Sequence, residues 1–322
     1  MKISRPIFCC LTFAVLFCIG CSRKPAETLP HQPGTDEITV SPGVSFDEET
    51  VIEPMFPLEE SKEPEEKSST EDATSALPTP PNRKFTEDAS VKLPKVGDLV
   101  PQIDVYVKKL EKTLDDLDGS PRFVDDAEAL HRDANTLALI ALALGLSKEE
   151  NPYKKAAPAM IEAALKLETV KNLDDATKAV AEIKQSLKAE ADSALSWDKK
   201  IASLGPIMKA VPNVNTLVKR NLRTEAVLKK GARTVVEGSA VIAVIGQGSV
   251  PNAAETIKPD AVKEWTGHCL ELRDAALALN KAASDYETDK GNFEAVQDAY
   301  EALSDSCDSC HKLFYKGEVP KD

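Results

Sequence analysis

Near the end of the chain, SDSCDSCHKLFY (304–315) sets two cysteines three residues apart with a histidine directly after the second. Thiols at i and i+3 lie one turn apart on the same side of a helix, which suits the two vinyl groups of a haem. Cys307 and Cys310 are therefore candidate thioether anchors. His311 follows them and can present its imidazole to the iron from the same side of the ring. Structural zinc would need four ligands, and no second close Cys/His pair exists apart from the adjacent His268 and Cys269. A thioredoxin-like dithiol expects a strand before it and a βαβ setting, which this stretch lacks. The cofactor expected from these residues is one covalent haem c.

The segment carrying the motif reads as a helix. Phe293, Val296, Tyr300, Leu303, Cys307, Cys310 and Phe314 recur at steps of three and four, so both thiols fall on the apolar stripe. A haem attached there would fill core volume, and its burial would be part of folding.

Four of the seven cysteines (Cys9, Cys10, Cys18 and Cys21) lie in the first 21 residues. Lys2 and Arg5 precede a short apolar run from Ile7 to Ile19, the pattern of an export signal over residues 1–20. The run ends FCIGC, similar to a bacterial lipobox, with Cys18 where Leu is usual; Cys21 is the expected lipidation site. Only Cys269, Cys307 and Cys310 remain for the folded part, too few for a disulfide scaffold in an oxidising compartment. The expected location is the cell envelope, on the periplasmic side. Attachment there is through a lipid, with Ser22 favouring the outer membrane, or the chain is released into the periplasm.

Net charge is −13. Residues 22–95 hold sixteen acidic and eight basic residues and eleven of the twenty-one prolines, with no apolar period. Such a segment cannot bury enough surface to offset its ordering entropy, so residues 21–97 read as a lipidated, disordered tether. Its root-mean-square reach is of order 45 Å. No basic stripe for nucleic acid is present. Nor is there a Ser/His/Asp set, a phosphate loop or a paired-carboxylate cleft, so the chain is not expected to be an enzyme.

From residue 98 the chain is rich in Ala, Leu, Lys and Glu, and its pattern predicts an all-α fold. Helices are expected near 99–117, 124–146, 153–168 and 173–195, then 201–222, 227–247, 258–284 and 290–316. Breaks fall at Gly119-Ser120-Pro121, Asn151-Pro152 and Val250-Pro251. The two sets resemble each other. VPQIDVYVKK (100–109) matches VPNVNTLVKR (211–220), TLALIALALG (136–145) matches SAVIAVIGQG (239–248), and AALKL (163–167) matches AALAL (275–279). The expected architecture is two tandem up-and-down four-helix bundles, over 98–197 and 198–322.

CxxCH near the end of a four-helix bundle, KEW (263–265) opening its third helix, an apolar second helix and IMKAVPNVNTL (207–217) in its first are similar to the cytochrome c-prime group, the class II c-type cytochromes. The resemblance covers about 200–317. After the haem histidine that family usually continues with an aromatic and then a basic residue. Phe314 fits the aromatic slot, but Tyr315 takes the place of the base and Lys316 follows. The resemblance implies electron transfer when a distal methionine fills the sixth iron position, and binding of nitric oxide or carbon monoxide when it is open. Met208 occupies the distal slot and is the expected sixth ligand; a core methionine that only packs on the haem face is the other reading. Pro212 is expected to kink that helix or to start it. Trp265 and Phe314 are expected at the haem edge, a plain core tryptophan being the alternative for Trp265. His268 is a poorer ligand, Cys269 a small buried hydrophobe, and His131 an exposed neighbour of Arg132.

Residues 98–195 contain no cysteine, so this half cannot hold covalent haem. In the best alignment Leu187, Glu190 and Ala191 stand where Cys307, Cys310 and His311 do. It reads as a degenerate copy used for docking or for stabilising its neighbour. The expected function is a mono-haem electron-carrier lipoprotein that exchanges electrons with redox donor and acceptor proteins of the envelope. A five-coordinate NO/CO-binding protein and a structural haem lipoprotein are the alternatives. A homodimer is one expected assembly; the fused first copy standing in for a subunit is the other.

Overall fold

The computed structural model describes residues 91–315 apart from Pro121 and Asp192. The export signal, Cys21, the tether up to residue 90 and Lys316 lie outside the described residues.

Among the described residues the chain is entirely helical, in agreement with the composition, and has no strand. The first half comprises α1 (Val96–Leu117), a single turn α2 (Phe123–Asp126), α3 (Glu128–Leu146), α4 (Ala157–Lys166) and α5 (Leu173–Ser186). The second comprises α6 (Leu204–Asn221), α7 (Glu225–Gly248), α8 (Val262–Glu287) and α9 (Phe293–Phe314). Helix starts follow local chemistry. Asn172, Thr224 and Asn292 cap α5, α7 and α9 by accepting the backbone N–H three residues on, at 2.9, 3.3 and 2.8 Å. The start of α6 is capped from outside, its Leu204 N–H donating to Glu255 at 2.9 Å.

The four-helix plan recurs, and the matched sequences do matched structural work. Ile103 and Val214 are both buried, as are Ala164 and Ala276, and Leu167 and Leu279. Thr136 and Ser239 are fully buried, and each hydroxyl donates to the carbonyl four residues back, at 2.8 and 2.7 Å.

Three sequence expectations change. The fourth helix of the first half stops at Ser186 instead of running to 195. The chain turns there because Leu195 and Trp197 fold back onto the core; Leu195 lies so close over Gly145 that a Cβ on that glycine would come within 2.4 Å of it. Glu190 and Ala191 therefore lie beyond the helix, and Leu187 at its cap. The helix over 124–146 is broken at Ala127 into α2 and α3. Pro212 neither starts nor ends α6: it sits on the exposed side, inside a helix that begins eight residues earlier.

The two halves share one hydrophobic core. α3 packs on α6 and α7, and α1 packs on α7. At Gly248 a Cβ would meet Leu139 at 2.6 Å, so the close approach of α7 and α3 depends on that glycine. A polar network closes the same interface. Asp98, 5% exposed, accepts from Arg233 at 2.9 Å and from Asn280 at 3.2 Å. Arg233 also donates to Gly97 O and to Glu237, which accepts from Gln102. Each oxygen of the Asp98 carboxylate thus has a donor, which is what makes the charge tolerable there.

Candidate haem-attachment site

The stripe on α9 is set by helical period, and burial follows it. Val296 and Leu303 are buried, Phe293 and Tyr300 half-buried against the main core, and Phe314 closes the far end. Cys307 and Cys310 continue the stripe as unpaired, half-buried thiols. Burial pushes the Cys310 thiol up to about 11, with Cys307 and Glu271 adding to it. The Cys307 thiol is raised too, chiefly by burial. Both are protonated thiols at neutral pH, not metal-seeking thiolates. His311 is half-buried, its ring 5.2 Å from that of Tyr315 and tilted 35° to it.

A second, smaller cluster covers this end of the bundle. Ala253, Trp265, Cys269 and Phe314 form it, and Cys310 packs against it. The Trp265 indole is anchored by donating to Ser249 O at 2.9 Å and meets Phe314 edge-on, centroids 5.3 Å apart. Trp265 and Phe314 thus stand beside the Cys310 thiol. Cys269 is buried, as expected, which leaves it no reach to a second molecule. The His268 ring lies edge-on to Phe314 at 5.9 Å, its Nδ1 buried and 3.5 Å from Glu271. His131 departs from expectation: its Nε2 is buried without a partner, because α3 lies between the two halves rather than at the surface.

On the other side of α9 the bundle is less tightly packed. α6 and α9 do not pack on one another as α1 and α5 do, and a cavity of about 80 Å³ lies between them. Val211 and Asn215 of α6, Ile242 of α7, and Leu303, Ser304, Cys307 and Asp308 of α9 line it. Met208 shares a helix face with Val211 and Asn215. It is half-buried and packs against the main core, and the cavity wall begins one turn further on. Asn215 is the lining residue that sequence reasoning missed. Its Oδ1 is buried with no hydrogen-bond partner. An asparagine on a helix looks like any surface residue until its face is known.

The residues fit a covalent haem in kind. Two thiols and an imidazole occupy one end of the last helix, an aromatic pair backs one thiol, and the other thiol faces a cleft holding an unsatisfied amide oxygen. The cavity has room for only a few waters, so a porphyrin must part α6 from α9. These helices share little packing that would resist it. Among the described residues no three His, Cys, Asp or Glu side chains converge to hold a metal ion. A haem iron asks only one imidazole of that set, its porphyrin nitrogens supplying the rest.

No family model, curated protein or solved structure matches the chain.

Proposed function

We propose that the chain is a mono-haem c-type cytochrome that carries electrons in the cell envelope. The single observation behind this reading is the CxxCH motif on the interior-facing stripe of α9, with Cys307 at the edge of the cleft. In this reading Cys307 and Cys310 tether the haem, His311 ligates the iron, and Met208 completes the coordination. Bound there, haem supplies a one-electron Fe(III)/Fe(II) couple. The chain's own part is to keep it dry and fixed. Trp265 and Phe314 exclude water on the Cys310 side, while Leu303, Val211 and Ile242 do so in the cleft. A thioether donor favours the reduced iron and blocks exogenous ligands.

The test is the optical spectrum of protein made in a host with c-type maturation machinery. Haem that survives denaturation and a reduced spectrum unmoved by carbon monoxide support the reading, with Met208→Ala restoring the carbon monoxide response. Colourless protein overturns it.

The packing of Met208 against the core favours a second reading, in which the sixth position stays open and binds nitric oxide or carbon monoxide. A wild-type spectrum that shifts with carbon monoxide selects it. In either reading α1–α5 serve to dock or stabilise the haem half, and Cys21 holds both to a membrane through the tether. No helix among the described residues is long and apolar enough to cross a membrane.

A further inference from the structure

α8 and α9 are joined by the short turn 288–292 and so run antiparallel. At the end of the pair away from that turn, Trp265 and Phe314 meet edge-on, centroids 5.3 Å apart. One helical turn further in, four residues on from Trp265 and four back from Phe314, lie Cys269 and Cys310. Cys310 packs against the cluster to which Cys269 belongs. Arg273 and Ser306, the next pair along, are both buried, as this register requires. Burial raises the Cys269 thiol, and the nearby Cys310 raises it further. Cys307 faces elsewhere, lining the cleft towards α6. The two thiols of the CxxCH motif thus have different surroundings, and a third thiol from outside the motif stands beside one of them.

We propose that Cys269 and Cys310 are a redox pair: in the haem-free chain they close to a disulfide between α8 and α9, and reduction of that bond releases Cys310. The oxidant is a low-molecular-weight disulfide of the class of oxidised glutathione, and the export expected from the sequence puts the chain where such oxidants act. The thiolate of the half-buried Cys310 attacks one sulfur of the oxidant and expels the other half as a thiol. The Cys269 thiolate then attacks the Cys310 sulfur of the mixed disulfide and expels the second half. The chain gives up two hydrogens and two thiols leave. Cys269, at 4% exposure, is out of the oxidant's own reach and acts only as the resolving thiol. The rival pair is disfavoured in a folded helix: Cβ atoms at i and i+3 stand about 5–6 Å apart, against about 3.5–4.5 Å in a disulfide. Joining Cys307 to Cys310 therefore means unwinding α9. Formation of the Cys269–Cys310 bond needs only the thiols, whereas its consequence rests on the haem reading above. A sulfur held in a disulfide has no S–H to add across a haem vinyl group, so the oxidised chain takes no thioether at Cys310 until it is reduced.

The experiment treats full-length haem-free protein, from a host without maturation machinery, with oxidised glutathione. Remaining thiols are alkylated in denaturant, and the digested chain is mapped by mass spectrometry. The expected result is loss of the free thiols of Cys269 and Cys310, joined to each other, with Cys307 outside the bond. Cys307→Ser should form the same bond, and Cys310→Ser should leave Cys269 free. In urea, where only proximity along the chain counts, the same treatment should join Cys307 to Cys310 instead. A Cys307–Cys310 bond in the folded protein, or Cys269 recovered as a free thiol, overturns the pair and leaves the haem reading standing. Colourless protein from a maturing host overturns the haem reading and leaves the pair.

Discussion

The two halves of this molecule fold to one plan and finish it differently. In the first, α1 and α5 pack directly and Lys184 bonds Glu111 across them at 2.5 Å. In the second, α6 and α9 stand apart around a cavity walled partly by Asn215, Ser304, Cys307 and Asp308. Matched core positions are filled in both halves, so the gap is not a general looseness of the second copy. A bundle closes its own core when its first and fourth helices supply apolar side chains enough. Here they set Asn215, Ser304, Cys307 and Asp308 among Val211, Ile242 and Leu303, and the gap stays unfilled by the chain's own side chains.

The comparison can be broken or sharpened by experiment. The largest effect expected is from Cys307→Ser with Cys310→Ser: complete loss of haem staining on a denaturing gel, with helix content by circular dichroism retained because the first half is intact. Residual covalent haem would remove the basis for treating the second half as the cofactor-bearing one. Truncating the fully buried Ile183 of α5 to alanine should cost about 3 kcal/mol in urea unfolding, equally with and without haem. Leu303→Ala, beside the existing cavity, should cost less in the haem-free protein than in the loaded one. Equal costs in the two forms would mean that the cleft is not where haem sits.

Asp98→Ala removes the acceptor shared by Arg233 and Asn280 and should lower stability by about 2 kcal/mol. If calorimetry then shows two transitions in place of one, the halves are coupled mainly through that network.

Glu255 gives the smallest stability effect. Burial alone would raise its carboxyl, but Lys200, the Leu204 N–H and Asn252 together hold it below the usual carboxylate range. A lowered folded-state value stabilises above the ordinary glutamate range, and that contribution is lost as the pH falls through the lowered value. Acid titration of the wild type against Glu255→Gln should differ by of order 1 kcal/mol near neutrality and converge in acid. Last, iodoacetamide on haem-free protein should modify Cys307 and Cys310 roughly tenfold faster than Cys269, which only unfolding exposes.

Much of this was legible in the residues. Ala/Leu-rich composition gave the helical class, and steps of three and four placed Cys307 and Cys310 on the inner stripe of α9. The repeated blocks named positions that do prove equivalent in burial and hydrogen bonding. The end of α5 was not legible, because its continuation keeps helical composition and only the tertiary slot over Gly145 draws Leu195 out of line. The buried network around Asp98 was equally hidden: an aspartate in the first turn of a helix reads as a dipole partner, and its real neighbours lie far along the chain. Asn215 escaped notice because which face of α6 meets the cleft depends on where α9 is not.

Pro212 carries one more consequence. Lacking an N–H, it leaves the Met208 carbonyl without its helical donor, so α6 is weakest as a rod between Met208 and Pro212. A flat guest wedged beside Cys307 would meet least resistance there. The start of α6 is held by Glu255 and by α3, so any bending at Pro212 would move the part of the helix beyond it.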